Sequence, residues 1–225
     1  LNIFGYAAAT LPEPLQGWEQ EFVFEDDSGS FRAETYKKAG NAPLLVFRGT
    51  VSDGDLTDIL ADWTENFRST GVGLVEFNRG AGVPGQAVDP TVDAPTLREW
   101  LLSRDQPISI TGHSQGGARA QLAAWVATSN GRDVGQVVTY NSAGTPLDTG
   151  SIPDELPALF ARTSVTHHIN VSDVVSLTGN MFLPRGTENS IALHDTDVPD
   201  LLQNRYVTVP NLISAHTGYW VSHEL

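Results

Sequence analysis

The sequence contains no cysteine, so disulfides, thiolate metal sites and cysteine nucleophiles are excluded together. It is poor in basic charge: 13 Lys and Arg stand against 27 Asp and Glu, a net charge of −14. A charge of that sign repels nucleic acid and anionic lipid over long range, and it favours neutral or cationic partners. No apolar run approaches the roughly 20 residues that a bilayer-spanning helix needs, so an integral membrane protein is not expected. There is no internal repeat and no low-complexity tract. The start, Leu1-Asn2-Ile3-Phe4, has neither an initiator Met nor a basic n-region. It is not a signal peptide, and the Leu start suggests a processed chain or a domain cut from a longer one. A secreted or exported bacterial protein is the expectation, while an acidic chain without cysteine suits a cytosol as well.

What is present is enough chain, 225 residues with 40% hydrophobic, for one domain over residues 1–225. Strand-like and helix-like runs alternate, which predicts α/β architecture. Glu21–Glu25 and Phe31–Lys37 flank the turn-rich Asp26-Asp27-Ser28-Gly29-Ser30 and read as an antiparallel hairpin. Leu44–Phe47 is a short apolar run, as in a strand buried on both faces. Asp55–Phe67 reads as a helix, Gly71–Phe77 as a further strand, and Asn78–Pro95 as a long loop. Thr96 caps a helix to Leu102, Ile108–Thr111 is a strand, and Gly116–Thr128 is a helix closing before Gly131. Val137–Tyr140 and Val165–Val171 are two more strands. Thr178–Asn204 shows no period and reads as irregular.

Chemistry centres on Gly112-His113-Ser114-Gln115-Gly116. A serine between two glycines, with a β-branched strand before it and a helix after it, is the pattern of a nucleophile elbow. The helix side is rich in small residues (Gly116, Gly117, Ala118, Ala120, Ala123, Ala124), which allows close approach to a sheet. A serine hydroxyl needs a base to take its proton and an acceptor to orient that base. On such a fold these follow the serine in the order acid, then histidine.

Among the later histidines, His216 follows the last extended run, Tyr206–Val209, where the base belongs. His167 and His168 lie inside a strand, His194 lies in the irregular stretch and His223 near the end. His113 reads as a packing or hydrogen-bonding residue. For the acid, Asp173 directly follows the strand Val165–Val171, at the sheet edge where open α/β sheets keep their sites. Asp195, Asp197 and Asp200 are rivals, and Asp148 and Asp154 weaker ones. The oxyanion needs N–H donors. The amide of Gln115, next after the serine, is one. Thr50, at the end of Phe47-Arg48-Gly49-Thr50, is the other.

These islands together resemble the class 3 (fungal-type) lipase family: Phe47-Arg48-Gly49-Thr50, Asp58-Ile59-Leu60-Ala61-Asp62-Trp63, Gly112–Gly117, Val171-Ser172-Asp173-Val174-Val175 and His216. The hairpin leading into Leu44–Thr50 also resembles the bacterial RTX-type lipases. The resemblance implies an α/β-hydrolase fold, a mostly parallel sheet with helices on both faces and an N-terminal antiparallel hairpin. It implies carboxylic-ester hydrolysis by a Ser114–Asp173–His216 triad, with Thr50 and Gln115 as the oxyanion hole. A lid is implied near Val51–Asn66. Gln115 stands where many relatives carry an apolar residue, Val51-Ser52-Asp53-Gly54-Asp55 is polar, and the glycine-rich calcium repeats of RTX lipases are absent. This points away from long-chain triglyceride.

The expected function is that of a lipase or esterase on lipid-like or small acyl esters, with no cofactor and weak contact with lipid interfaces. Phospholipase A1, a lipase domain of a larger exported toxin, and a non-catalytic binding module on the same fold are the alternatives. The loop acids Asp53, Asp55, Asp195, Asp197 and Asp200 lack an EF-hand pattern and read as solvated charges, so no metal site is expected.

Overall fold

Alternation along the N-terminal hairpin sets the antiparallel half of the sheet. In a computed structural model, which describes residues 17–49, 73–144, 162–170, 175 and 190–194, β1 (Glu19–Glu25) buries Phe22 and Phe24. It pairs antiparallel with β2 (Arg32–Lys37). The turn between them is organised by Asp26, whose carboxylate accepts from the Phe31 amide at 3.1 Å and from the Ser28 and Ser30 hydroxyls at 2.9 and 3.1 Å. These side-chain bonds add to the backbone bonds of the turn, from the Asp26 amide to the Phe31 carbonyl at 3.2 Å and from the Gly29 amide to the Asp26 carbonyl at 2.9 Å. β2 then pairs antiparallel with β3 (Leu44–Phe47), whose apolar run is the expected one.

From β3 onward the sheet is parallel. β5 (Ile108–His113), β6 (Val134–Tyr140), β7 (Ser164–Asn170) and β8 (Ser190–His194) follow one another in space as in sequence. With the two-residue β4 (Gln86–Ala87) on the outer side of β1, the described strands form one sheet of order β4-β1-β2-β3-β5-β6-β7-β8. The register aligns Phe47 with Gly112, His113 with Tyr140, and Asn170 with His194. The C-terminal ends of the parallel strands therefore share one edge, where ligands of open α/β sheets bind.

Three helices are described. α3 (Gln115–Ser129) lies on β3, β5 and β6. Its glycines and alanines, with Leu122 and Val126, are buried, and this small-residue surface lets the helix approach the sheet closely. α2 (Leu97–Leu102) opens with a capping box: the Thr96 hydroxyl accepts from the Glu99 amide at 3.1 Å, and the Glu99 carboxylate accepts from the Thr96 amide at 2.8 Å. It buries Leu97, Trp100 and Leu101.

α1 (Leu74–Gly80) corrects the sequence reading of Gly71–Phe77 as a strand. Period-two alternation and a helical stripe compete over these few residues. The stripe prevails because Phe77 and Ala81 bury at helical spacing, and Phe77 packs edge-on to Phe31 at 6.4 Å between centroids. The Asn78–Pro95 loop accordingly begins inside α1 and contains β4. The stretch read as irregular, Thr178–Asn204, contains β8: its three apolar residues Ile191-Ala192-Leu193 are too few to show a period, and pairing with β7 makes the strand. The helix expected over Asp55–Phe67 and the extended run Tyr206–Val209 lie outside the described residues.

Candidate active site

Between the last residue of β5, His113, and the first of α3, Gln115, stands Ser114 alone. Its backbone sits at φ 57°, ψ −128°, a conformation costly for a residue with a Cβ. The turn is held from three sides. The Ser114 amide donates to the Tyr140 carbonyl at 3.0 Å, and its carbonyl accepts from the amides of Gly117 at 3.0 Å and Ala143 at 3.4 Å. The strained serine is thus tied to its own helix and to the end of β6.

The flanking glycines have separate steric reasons. A Cβ on Gly112 would collide with the Gly116 carbonyl, so the turn could not close. A Cβ on Gly116 would lie 2.5 Å from the Phe47 carbonyl oxygen and 2.7 Å from that of Arg48. Gly116 therefore admits the chain leaving β3 to the start of α3. That chain continues directly beside the serine: a Cβ on Gly49 would lie 3.4 Å from Ser114 Cβ and 3.0 Å from the His113 carbonyl.

Arg48 anchors the same segment from below, donating to the Gly29 carbonyl at 2.7 Å and pairing with Glu25 at 3.6 Å. Burial lowers its pKa from the usual arginine value, with Glu25 opposing. On the other flank, Gln115 opens a helix of 15 residues, so its amide lies at the positive end of the helix dipole. The Gln115 Oε1 accepts from the Arg119 guanidinium at 2.7 Å.

Of the expected site residues, Ser114 and Gln115 are brought together in this turn. Thr50, Asp173 and His216 lie outside the described residues, as do His223, the expected lid Val51–Asn66 and the aspartates at 53, 55, 148, 154, 195, 197 and 200. In sequence, Thr50 follows Gly49, and Asp173 comes three residues after the end of β7. Among the other histidines, His113 is buried beside Gly49. His167 is buried with Nδ1 2.7 Å from the Thr139 hydroxyl, and His168 stacks on Tyr140 at 5.0 Å. His194 is the final residue of β8, not part of an irregular stretch.

Arg119 and the Gly49 contact with Ser114 escaped the sequence reading. Gly49 carries no signal by itself. Arg119 does carry one, since it is the lone cation in the small-residue run Gly116–Ala124.

A model of the class 3 lipase family matches residues 44–179, more than half of the chain and all of the elbow. The chain belongs to the class 3 lipase family. Comparison with curated proteins gives no match. Among solved structures, the lipase of Rhizopus microsporus var. chinensis is similar with a TM-score of 0.50 and 15% identity, over 72% of this chain and 56% of that one. The nonglycosylated LIP2 lipase of Yarrowia lipolytica is similar with a TM-score of 0.50 and 17% identity, over 79% and 67%. The class 3 lipase domain described here thus spans little more than half the length of the first of these. At such identities the likeness concerns the fold, an α/β-hydrolase sheet with a parallel core and antiparallel N-terminal strands. Family membership points to lipase or esterase activity, the hydrolysis of a carboxylic ester.

Proposed function

We propose that this class 3 lipase cleaves lipid-like acyl esters through a covalent acyl-enzyme on Ser114. His216, oriented by Asp173, takes the hydroxyl proton as Ser114 attacks the ester carbonyl, then returns it to the leaving alcohol. The amides of Gln115 and Thr50 hold the oxyanion. Water repeats the sequence and frees the acid and Ser114.

The observation that carries this reading is the backbone of Ser114, at φ 57° between β5 and α3. Strain of that kind persists where the surrounding structure imposes it, and it clusters at functional sites. Here it puts the side chain of a single serine at the sheet edge, beside a helix N-terminus and the loop after β3. The test is hydrolysis of p-nitrophenyl esters by the wild type and Ser114→Ala. Loss of activity in the variant is expected, and full retention contradicts the proposal. A panel from acetate to palmitate esters, with and without an interface and with a phospholipid arm, separates esterase, lipase and phospholipase A1. The polar Val51–Asp55 segment favours esters shorter than those of long-chain triglycerides.

A further inference from the structure

A charged side chain only 1% exposed, in a helix whose other buried residues are all uncharged, calls for a reason. Removing a guanidinium from water costs several kcal/mol, and apolar residues of similar volume often replace buried ionic groups without loss of stability. Arg119 is such a residue. It sits four residues after Gln115, on the same side of α3.

Its contacts converge on both flanks of Ser114. One guanidinium nitrogen, Nη2, donates to Gln115 Oε1 at 2.7 Å, and the other, Nη1, reaches the Arg48 carbonyl at 3.5 Å. The guanidinium carbon lies 5.7 Å from the centre of the Phe31 ring. The start of α1 closes over the same pair: a Cβ on Gly73 would lie 3.1 Å from Arg119 Cγ and 3.8 Å from the Gln115 carbonyl.

We propose that Arg119 is a positioning residue for the oxyanion hole, bridging Gln115 at the start of α3 to the Arg48 backbone after β3. The inference rests on the ester-hydrolase reading of Ser114. A planar fork of fixed geometry sets the spacing between two acceptors, whereas a lysine ammonium presents its three N–H donors from one rotating point and leaves that spacing free. Its work is to hold the two flanks of the serine in register, since a donor displaced by about 1 Å forfeits much of its stabilisation of the transition state.

The test measures kcat, KM and melting temperature for the wild type, Arg119→Lys, Arg119→Met, Gln115→Ala and the Arg119→Lys/Gln115→Ala double variant, with Ser114→Ala as the control. Methionine fills a similar volume with a flexible apolar chain and has neither the charge nor the fork. The expected result is a kcat lowered on the order of 10- to 100-fold in Arg119→Met, with KM nearly unchanged and a melting temperature close to wild type. Arg119→Lys is expected to fall between wild type and Arg119→Met. The double variant is expected to be no worse than its worse single parent, because both singles break one bridge.

Wild-type kcat in Arg119→Met or in Gln115→Ala overturns the inference, as does a double variant whose losses multiply. If Arg119→Met does not fold, the Gln115→Ala and double-variant results decide alone. Full activity in Ser114→Ala overturns the site reading and this inference with it. An inactive Ser114→Ala beside a fully active Arg119→Met overturns the inference only.

Discussion

Gly116 lies so close to Phe47 that a Cβ on the glycine would stand 2.5 Å from the Phe47 carbonyl oxygen. The second glycine of the pentapeptide thus makes room for a different segment, the chain leaving β3. Gly116→Ala is expected to destabilise the fold by about 1–3 kcal/mol through overpacking against backbone that cannot rotate away. That is a melting temperature lower by roughly 2–4 °C per kcal/mol. Esterase activity is expected to fall further than stability alone explains, because the displaced segment passes beside Ser114. Thermal melts and initial rates below the transition check both parts.

Asp26 makes a separate prediction about acid. Burial raises its pKa, but the Phe31 amide, the Ser28 and Ser30 hydroxyls and Arg79 together outweigh this and lower it to about 2. Arg79, on α1, reaches Asp26 Oδ2 with Nε at 2.9 Å and Nη2 at 2.6 Å, so the hairpin turn is clasped to that helix. A carboxyl with a depressed folded pKa stabilises above its unfolded value of 3.8 and loses that contribution as pH falls toward 2. The contribution at neutral pH is on the order of 2 kcal/mol. Asp26→Asn is expected to melt lower at pH 7, and the gap from wild type is expected to close between pH 4 and pH 2, which a pH series of denaturant melts reads directly.

Thr96 offers a change remote from the site. Its hydroxyl is half of the capping box of α2, and Thr96→Ala is expected to cost about 1 kcal/mol. Urea unfolding should show the loss while kcat stays at the wild-type value. A fall in kcat would mean that α2 bears on the site.

The base is tested by a pair of variants. His216→Ala is expected to abolish ester hydrolysis nearly as fully as Ser114→Ala does. His194→Ala, at the end of β8, is expected to retain most of it. The reverse pattern would assign the base to His194.

Much of the fold was legible because its strands are short apolar runs with clear turns between them. Leu44–Phe47 reads from the sequence with its observed bounds, and Thr96 reads as the cap it is, to which the structure adds the reciprocal bond with Glu99. Residues 74–77 misled because Leu74-Val75-Glu76-Phe77 fits alternation as well as a helical stripe, and tertiary contact of Phe77 with Phe31 decides between them. β8 was invisible because its three apolar residues gain their structure from β7. At the site, Ser114 and Gln115 were legible because an elbow is a local motif. The approach of Gly49 to Ser114 and the bridge made by Arg119 depend on segments some 65–70 positions apart, and no local pattern encodes them.

The nucleophile itself can be read by mass. The folded protein, treated with a fluorophosphonate, is expected to gain one adduct, located by fragmentation on Ser114 and absent from Ser114→Ala and from protein unfolded before treatment. An unlabelled wild type, or an adduct that persists in Ser114→Ala, would contradict the assignment of Ser114 as the attacking residue.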